Sequence, residues 1–470
     1  MSRKIILFFL ILFSFFNCVL AEQNILIYNG TENYNIAYDV SVDTNYIYVV
    51  GQVNGEIGFY DALIMKLDKN LNVVNKTIYG RNSTFEYFYG VTNDLSSVYA
   101  TGVSNGSILT VKFDKDLNII NKTEYGLSGH MGYSITTDSN FVYVAGEIFG
   151  VIGSTRDNNG ILKYDKDLNL INETVYGIST SHENAEAICV DDDFVYVLGE
   201  TYSDVASSYN WLFLKLDKNL SKNLSFAFAH TYTNNDNPHD MIIDGDYIYS
   251  IGDGFVTASR REMFIVKMDK NFSIIEQVQI GNTVHVNGNS IISDSNYIYA
   301  LGRENNDILI VKLDKNLNII NKTVFSGGIG TDIGYSIKQD SSFLYIVGET
   351  KTLDGVNIDI FIFKLHKDLD SNLVNYSNPA QFTYRLSNSS ISTANFSIAT
   401  SSRTYTTASL AYGISNLNYT ISNLSLNYYN IDFYYQTLLS NTFSSSVLSF
   451  ASFFGIVLSF FVIIFYFFSV

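Results

Sequence analysis

One segment returns seven times along this chain, and that recurrence limits the fold more than any other feature. Its clearest copy is ILIVKLDKNLNIINKTVF, residues 308–325. Related copies are ALIMKLDKNLNVVNKTIYG ending at Gly80, ILTVKFDKDLNIINKTEYG ending at Gly126 and GILKYDKDLNLINETVYG ending at Gly177. WLFLKLDKNLSKNLSF from Trp211, FIVKMDKNFSIIEQVQIG ending at Gly281 and IFIFKLHKDL from Ile360 complete the set. The equivalent turn positions are Asp68, Asp114, Asp165, Asp217, Asp269, Asp314 and His366, spaced 45–52 residues apart. Such a period belongs to propeller blades rather than to short-repeat solenoids.

A second recurring half precedes each copy. It reads YDVSVDTNYIYVVG ending at Gly51, YSITTDSNFVYVAG at Gly146 and YSIKQDSSFLYIVG at Gly348, with four related versions between. Both halves run or alternate apolar over strand lengths, and Asp, Asn, Ser and Gly clusters bound them, so hairpins are expected. One unit is then strand a (YSI), an Asp-Ser-Asn turn, strand b (YIYVVG), a variable loop, strand c (ILIVKLD), a Lys-Asn turn and strand d (IINKTVYG). The fold class is therefore all-β, a seven-bladed β-propeller of four-stranded blades. NILIYNG, residues 24–30, resembles a d strand yet has no a, b or c strand before it, while the seventh unit lacks a clear d strand after Leu369. The N-terminal strand is expected to close the ring and remove an open edge.

The order of these elements resembles the seven-bladed β-propeller repeat family of bacterial and archaeal surface proteins. Residues 325–349, FSGGIGTDIGYSIKQDSSFLYIVGE, followed by IFIFKL at 360–365, carry the resemblance, which extends over residues 24–370. Asp-Lys-Asn replaces that family's Gly-rich c–d turn, and most blades lack its Gly-Gly-Asp. The resemblance implies a fold and a surface location. It implies no reaction.

Charge bears on partners. The 470-residue chain has a formal net charge of −17, and no basic face is visible, so nucleic acid is not an expected partner. Cys18 lies in the leader and Cys189 stands alone, so no intrachain disulfide is possible after leader removal. Residues 1–21 begin with Arg3 and Lys4, continue apolar and end Val19-Leu20-Ala21, the pattern of a secretory signal peptide. The propeller is assigned to 22–374. Residues 375–446, rich in Ser, Thr, Asn and Tyr, are expected to form a small β-rich stalk, with a glycosylated spacer as the alternative. Residues 447–470 hold an uncharged apolar run, Leu448 to Val470, long enough for a transmembrane helix. The expected location is the cell membrane, single-pass, with the folded body outside. The alternative at this end is a cleaved sorting or lipid-anchor signal.

Sequons are dense. Asn75, Asn121, Asn172 and Asn321 recur at one position of strand d, and Asn388, Asn395, Asn418 and Asn423 lie in the stalk segment. Such sites accept N-glycans on secreted surfaces. The a–b turns carry Asp43, Asp94, Asp138, Asp191, Asp244, Asp294 and Asp340. One Asp per turn suits an Asx-turn better than a calcium cage, which needs several oxygens together. No metal or cofactor is expected. His130, His182, His230, His239 and His285 lie in d–a connections, but without metal-ligand spacing. Counting back from each a strand places Glu86, His130, Glu183, Asp236 and Asp332 at the channel mouth, on the face that also carries the b–c loops. That face is the expected binding face, with Tyr87, Phe88, Tyr89 and Phe149 as aromatic contacts.

The function expected is a membrane-anchored extracellular protein whose propeller recognises a surface protein or glycan. Two alternatives stay open: a glycan-acting hydrolase or lyase using channel-mouth acids, and a structural part of a glycoprotein cell coat. No nucleophile elbow, P-loop or Rossmann glycine pattern occurs.

Overall fold

Seven hairpin pairs of alternating apolar residues need a shared interior, and a closed ring supplies one. The computed structural model describes residues 25–369 apart from loop segments such as 152–156, 204–207 and 352–356. It also describes isolated strands between Tyr376 and Tyr429. Blade one is built from Ile36–Val42 (a), Tyr46–Asn54 (b), Tyr60–Asp68 (c) and Val73–Gly80 (d), antiparallel and in spatial order. Five blades repeat that order. The seventh has Ile333–Gln339, Phe343–Lys351 and Ile358–His366 from its own repeat, and Ile25–Asn29 as its outer strand. Ile25 pairs with Phe363 and Tyr28 with Ile360. The ring is closed by the N-terminal strand, as the orphan segment predicts.

Side chains buried on both sheet faces pack between adjacent blades. Seven apolar clusters result, one at each seam, such as that joining Tyr249, Ile265 and Ile280 to Ile298, Leu309 and Leu317.

The repeated KLDKN stretch is explained by these seams. Its second lysine reaches back to the a–b aspartate of the preceding blade: Lys115 to Asp43 at 3.1 Å, Lys166 to Asp94 at 3.1 Å, Lys218 to Asp138 at 2.9 Å and Lys270 to Asp191 at 2.9 Å. Lys69 to Asp340, 3.8 Å, carries the same contact across the closure. Its first lysine reaches forward. Lys215 donates to the Lys270 carbonyl and Lys267 to that of Lys315, both at 2.9 Å, while their ammonium groups lie over Phe194 and Tyr247. Within each c–d turn the residue after Asn or Asp takes a left-handed backbone, as at Leu71, Leu117, Leu168, Leu220, Phe272 and Leu317. Those side chains are buried. That conformation costs on the order of 1–2 kcal/mol for a residue with a Cβ, and apolar burial offsets it.

The two partners in one stitch should differ in worth. Asp138 accepts from Lys218, from the Asn140 and Phe141 N–H groups and from the Tyr143 hydroxyl. Asp138→Ala should therefore cost about 2–3 kcal/mol in urea unfolding. Lys218→Met removes one half-exposed ion pair and should cost under about 1 kcal/mol. Equal losses would show that the ion pair, not the turn cap, matters most.

The segment expected as a stalk contributes short rim strands among its described residues. Phe382–Ser387, Ser392–Ala394, Ile398–Ser401 and Thr406–Ala408 pair with the d strands of blades six, five, four and three. Thr420–Ser422 pairs with blade one, and Asn427–Tyr429 with the N-terminal strand. Among the described residues the chain thus visits the blades in reverse order, adding an outer strand to every blade except the second. The leader, the apolar run 448–470 and sequons Asn388, Asn395, Asn418 and Asn423 lie outside the described residues.

Candidate ligand site at the channel mouth

Every a–b pairing slips by one residue at the same place. The slips fall between Ala37 and Asp39, Phe88 and Gly90, Gly132 and Ser134, Ala185 and Ala187, Pro238 and Asp240, Gly288 and Ser290, and Gly334 and Ser336. The extra residue is Tyr38, Tyr89, Tyr133, Glu186, His239, Asn289 or Tyr335. A bulge re-aims its side chain, and here all seven line the central channel, a cavity of about 270 Å³. The strand-b glycine makes room. A Cβ on Gly102 would stand 1.9 Å from the Tyr87 carbonyl oxygen, and one on Gly51 the same distance from that of Ile36.

A second tier comes from the residue after that glycine: Gln52, Val103, Glu147, Glu200, Asp253, Arg303 and Glu349. Tyr38 donates to Gln52 at 2.9 Å and Tyr133 to Glu147 at 2.8 Å. Tyr335 stands close enough to Glu349 to act on its carboxyl. Asp253 is held by Arg261 at 2.6 Å. Blade four alone sets an acid against an acid, Glu186 beside Glu200.

Tyrosines form a continuous arc. Tyr335 to Tyr38, Tyr38 to Tyr89 and Tyr89 to Tyr133 have ring centroids 5.6, 4.9 and 5.5 Å apart. From Tyr89 the rings continue outward through Tyr87 and Tyr60 to Phe85 and Phe59. Phe59 and Phe85 are 54% and 47% exposed, so an aromatic track runs from the open face into the channel.

Electrostatics separate the two ends of the channel. A hollow of about 840 Å³ at the other end is lined by Asp43, Asp94 and Asp138 with Lys115 and Lys166. Burial pushes the Asp138 carboxyl up, but Lys218 and two turn N–H groups outweigh it and hold it below its ordinary value. At the mouth the balance reverses. Burial pushes Glu186 up to about 8, with Glu200 and Glu147 adding repulsion. Burial likewise raises Glu147 to about 7, with Asp157 adding to it and Tyr133 and His182 opposing. Glu200 also rises to about 7 through burial, opposed by Arg261 and reinforced by Asp253. Acids at the far end have lysine partners that outweigh burial, whereas His182 beside Glu147 and Arg261 beside Glu200 do not outweigh it, and only acids act on Glu186.

These shifts carry a stability consequence. In the unfolded chain the glutamates titrate near 4.5, whereas folding holds their protons to about 7–8. Their stabilising contribution is complete below the unfolded value and is lost as pH rises through the folded one. Burial lowers His130 and His239, which acts oppositely in more acid solution. The glutamates therefore dominate between about pH 6.5 and 8.5. Urea midpoints should fall across that window, and Glu186→Gln should flatten the decline. A rising midpoint would contradict the assignment.

The five residues expected at the mouth are placed differently. Glu86, His130, Glu183, Asp236 and Asp332 are at most 2% exposed and do not line the channel. Glu86 accepts from Ser104, Glu183 from Thr201 and Asp332 from Thr350, each bond tying the start of strand a to strand b of its own blade. The backbone N–H groups of His130, Glu183 and Asp332 bond the preceding blade at Gly106, Asp157 and Asn306. These are joints between blades. Of the expected aromatics, Tyr87 and Tyr89 belong to the track, Phe88 is core, and Phe149 sits exposed beside Gly129. His182 pairs with Asp157 and His239 lines the channel, so the histidines do not gather.

The strand-d sequons have a packing role. The Asn75, Asn121, Asn172 and Asn321 amides donate to turn carbonyls of the next blade, at Asp116, Asp167, Asn219 and Asp368.

No family model matches this chain, and no curated protein matches it. Among solved structures it is similar to the Dos1 propeller, at 12% identity and TM-score 0.41, covering 69% of this chain and 78% of that one. A Bacteroides fragilis chain assigned as a 6-phosphogluconolactonase gives 10% and 0.42, covering 68% and 94%. A subtype N10 neuraminidase-like protein of A/little yellow-shouldered bat/Guatemala gives 10% and 0.38, covering 59% and 94%. Likeness at this level says nothing of function. The seven-bladed architecture stands on the strand pairing above.

Proposed function

We propose that this protein is a binding propeller displayed on the outer side of a membrane, which takes a surface glycan or protein at the channel mouth. One observation carries the reading. Seven structurally equivalent bulge positions, which a purely architectural repeat has no cause to vary, hold four tyrosines, a glutamate, a histidine and an asparagine. An exposed aromatic track leads to them, the surface on which sugar rings or a partner's apolar side chains stack. Display outside the cell is supported by the leader at 1–21 and the apolar run at 448–470.

The test is a screen of the full-length protein against glycans and surface proteins, followed by Tyr89→Leu and Tyr335→Leu. A ligand that both variants bind as tightly as wild type refutes the site. Truncation after Ser446 should release folded protein to the medium. Retention on membranes would place the anchor elsewhere. Mass spectrometry of Asn75, Asn121, Asn172 and Asn321 reads glycan occupancy, and unmodified amides throughout would leave them only their packing role.

A second reading has one observation in its favour. Acids held near neutrality in a cavity suit proton transfer, as a glycan-acting hydrolase requires. It predicts release of new reducing ends from a bound glycan, abolished by Glu186→Gln.

A further inference from the structure

The channel mouth combines three features that converge on one ligand chemistry. The first is the arc of Tyr335, Tyr38, Tyr89 and Tyr133, whose neighbouring rings are tilted by 53–57°. Hydroxyls of Tyr38 and Tyr133 are tied to Gln52 and Glu147 in the second tier. Those bonds fix the rings and leave aromatic surface as what the arc presents to the cavity. Aromatic surface attracts cations through its quadrupole, most strongly where water is scarce.

The second feature is Glu186, next around the ring after Tyr133. It lines the cavity, is bonded by the Asn184 amide, and has no ion-pair partner among the described residues. Its charged neighbours, Glu147 and Glu200, have its own sign. The third is the disposition of nearby cations. Arg261 pairs with Asp253 and also acts on Glu200, while Lys338 lines the cavity with its charge acting on Asp39, so neither acts on Glu186. Blades three and four thus gather acids that burial and mutual repulsion keep protonated near neutrality, and a bound ammonium would favour release of the Glu186 proton and leave its carboxylate beside the cation.

Resting on the binding reading above, we propose that this mouth receives the ammonium group of an organic cation, ringed by the four tyrosines with Glu186 as its counter-ion. An anionic ligand would meet the acids of blades three and four. A neutral sugar would stack on the track but bring no charge to Glu186. Quaternary amines, polyamines and amino sugars share the required group.

The test uses the full-length protein and isothermal titration with three probes: choline, spermidine and a glucosamine tetramer. Each distinguishes one source of the ammonium. Neutral counterparts are 3,3-dimethylbutanol for choline and the N-acetylated tetramer for the amino sugar. At least one cation should bind, with its neutral counterpart about tenfold weaker or worse. Glu186→Gln, which keeps size and shape, should weaken cation binding about tenfold without lowering the melting temperature. Tyr89→Leu should do likewise, while Lys115→Met at the opposite end should bind as wild type. Equal binding of the neutral counterparts, unchanged binding by Glu186→Gln, or no binding of any cation overturns the proposal. If no cation binds yet the screen yields a ligand sensitive to Tyr89→Leu, the ammonium inference fails and the binding reading stands.

Discussion

Deletion of residues 22–30 should prevent the ring from forming rather than trim it. Ile25, Leu26, Ile27 and Tyr28 are all buried. They also serve two seams at once. Ile25 and Ile27 pack with Phe325, Phe361 and Phe363, while Leu26 and Tyr28 pack with Val49, Leu63 and Ile362. At roughly 1.5–3 kcal/mol for each buried side chain, the strand carries on the order of 8 kcal/mol before its ladder hydrogen bonds are counted. That is comparable to the whole stability of many folded domains, roughly 5–15 kcal/mol. The deleted protein should aggregate or lose its cooperative melt. Tyr28→Ala, a smaller lesion in the same strand, should cost about 3 kcal/mol and still fold. An unchanged melting temperature for the deletion would show that blade seven does not need this strand.

The second large effect is expected from one methyl group. Gly102→Ala would place its Cβ 1.9 Å from the Tyr87 carbonyl oxygen and 2.8 Å from the Phe88 Cα. Both neighbours are backbone, so no side chain can turn aside. Either the bulge at Tyr89 is lost or strands a and b part. Costs above about 3 kcal/mol are expected, well beyond an ordinary Gly→Ala change. Gly245→Ala is the control, since nothing lies within 4 Å of where its Cβ would stand. There the positive backbone angle at Gly245, 59°, is the only penalty, about 1 kcal/mol. Similar losses at the two sites would mean that the strand-b glycine is not what permits the bulge.

Much of the architecture is legible in the sequence because each repeat writes it again. The period, the turn residues and the orphan NILIYNG all follow from local patterning, and closure follows from the unpaired edge. The lining of the channel is less legible for a specific reason. Strict alternation along YDVSV or YSITT sends Tyr and the residue after it to opposite faces, and a bulge breaks that alternation. Its signal is indirect: the strand-b glycine that admits it, and a varied residue within the first four positions of strand a. Counting back to the first polar residue instead finds Glu86, Glu183 and Asp332, which stand at the start of strand a but turn inward to strand b. The strand-d asparagines read as sequons and prove to donate across seams, since one amide serves either chemistry. Segment 375–446 alternates enough to be strands, yet alternation does not say whether such strands pair with each other or with an existing edge. Those described pair mostly with the blades.

The proposed ligand position is against the bulge ring. The most direct measurement is the affinity of a ligand recovered from the screen, compared on wild type, Tyr89→Leu and the double variant Lys115→Met, Lys218→Met. The first variant alters the ring and the second only the opposite end. A loss of about tenfold or more for Tyr89→Leu, with the double variant binding as wild type, is the predicted result. Unchanged affinity for Tyr89→Leu together with loss in the double variant would contradict it and place the ligand among the a–b turns.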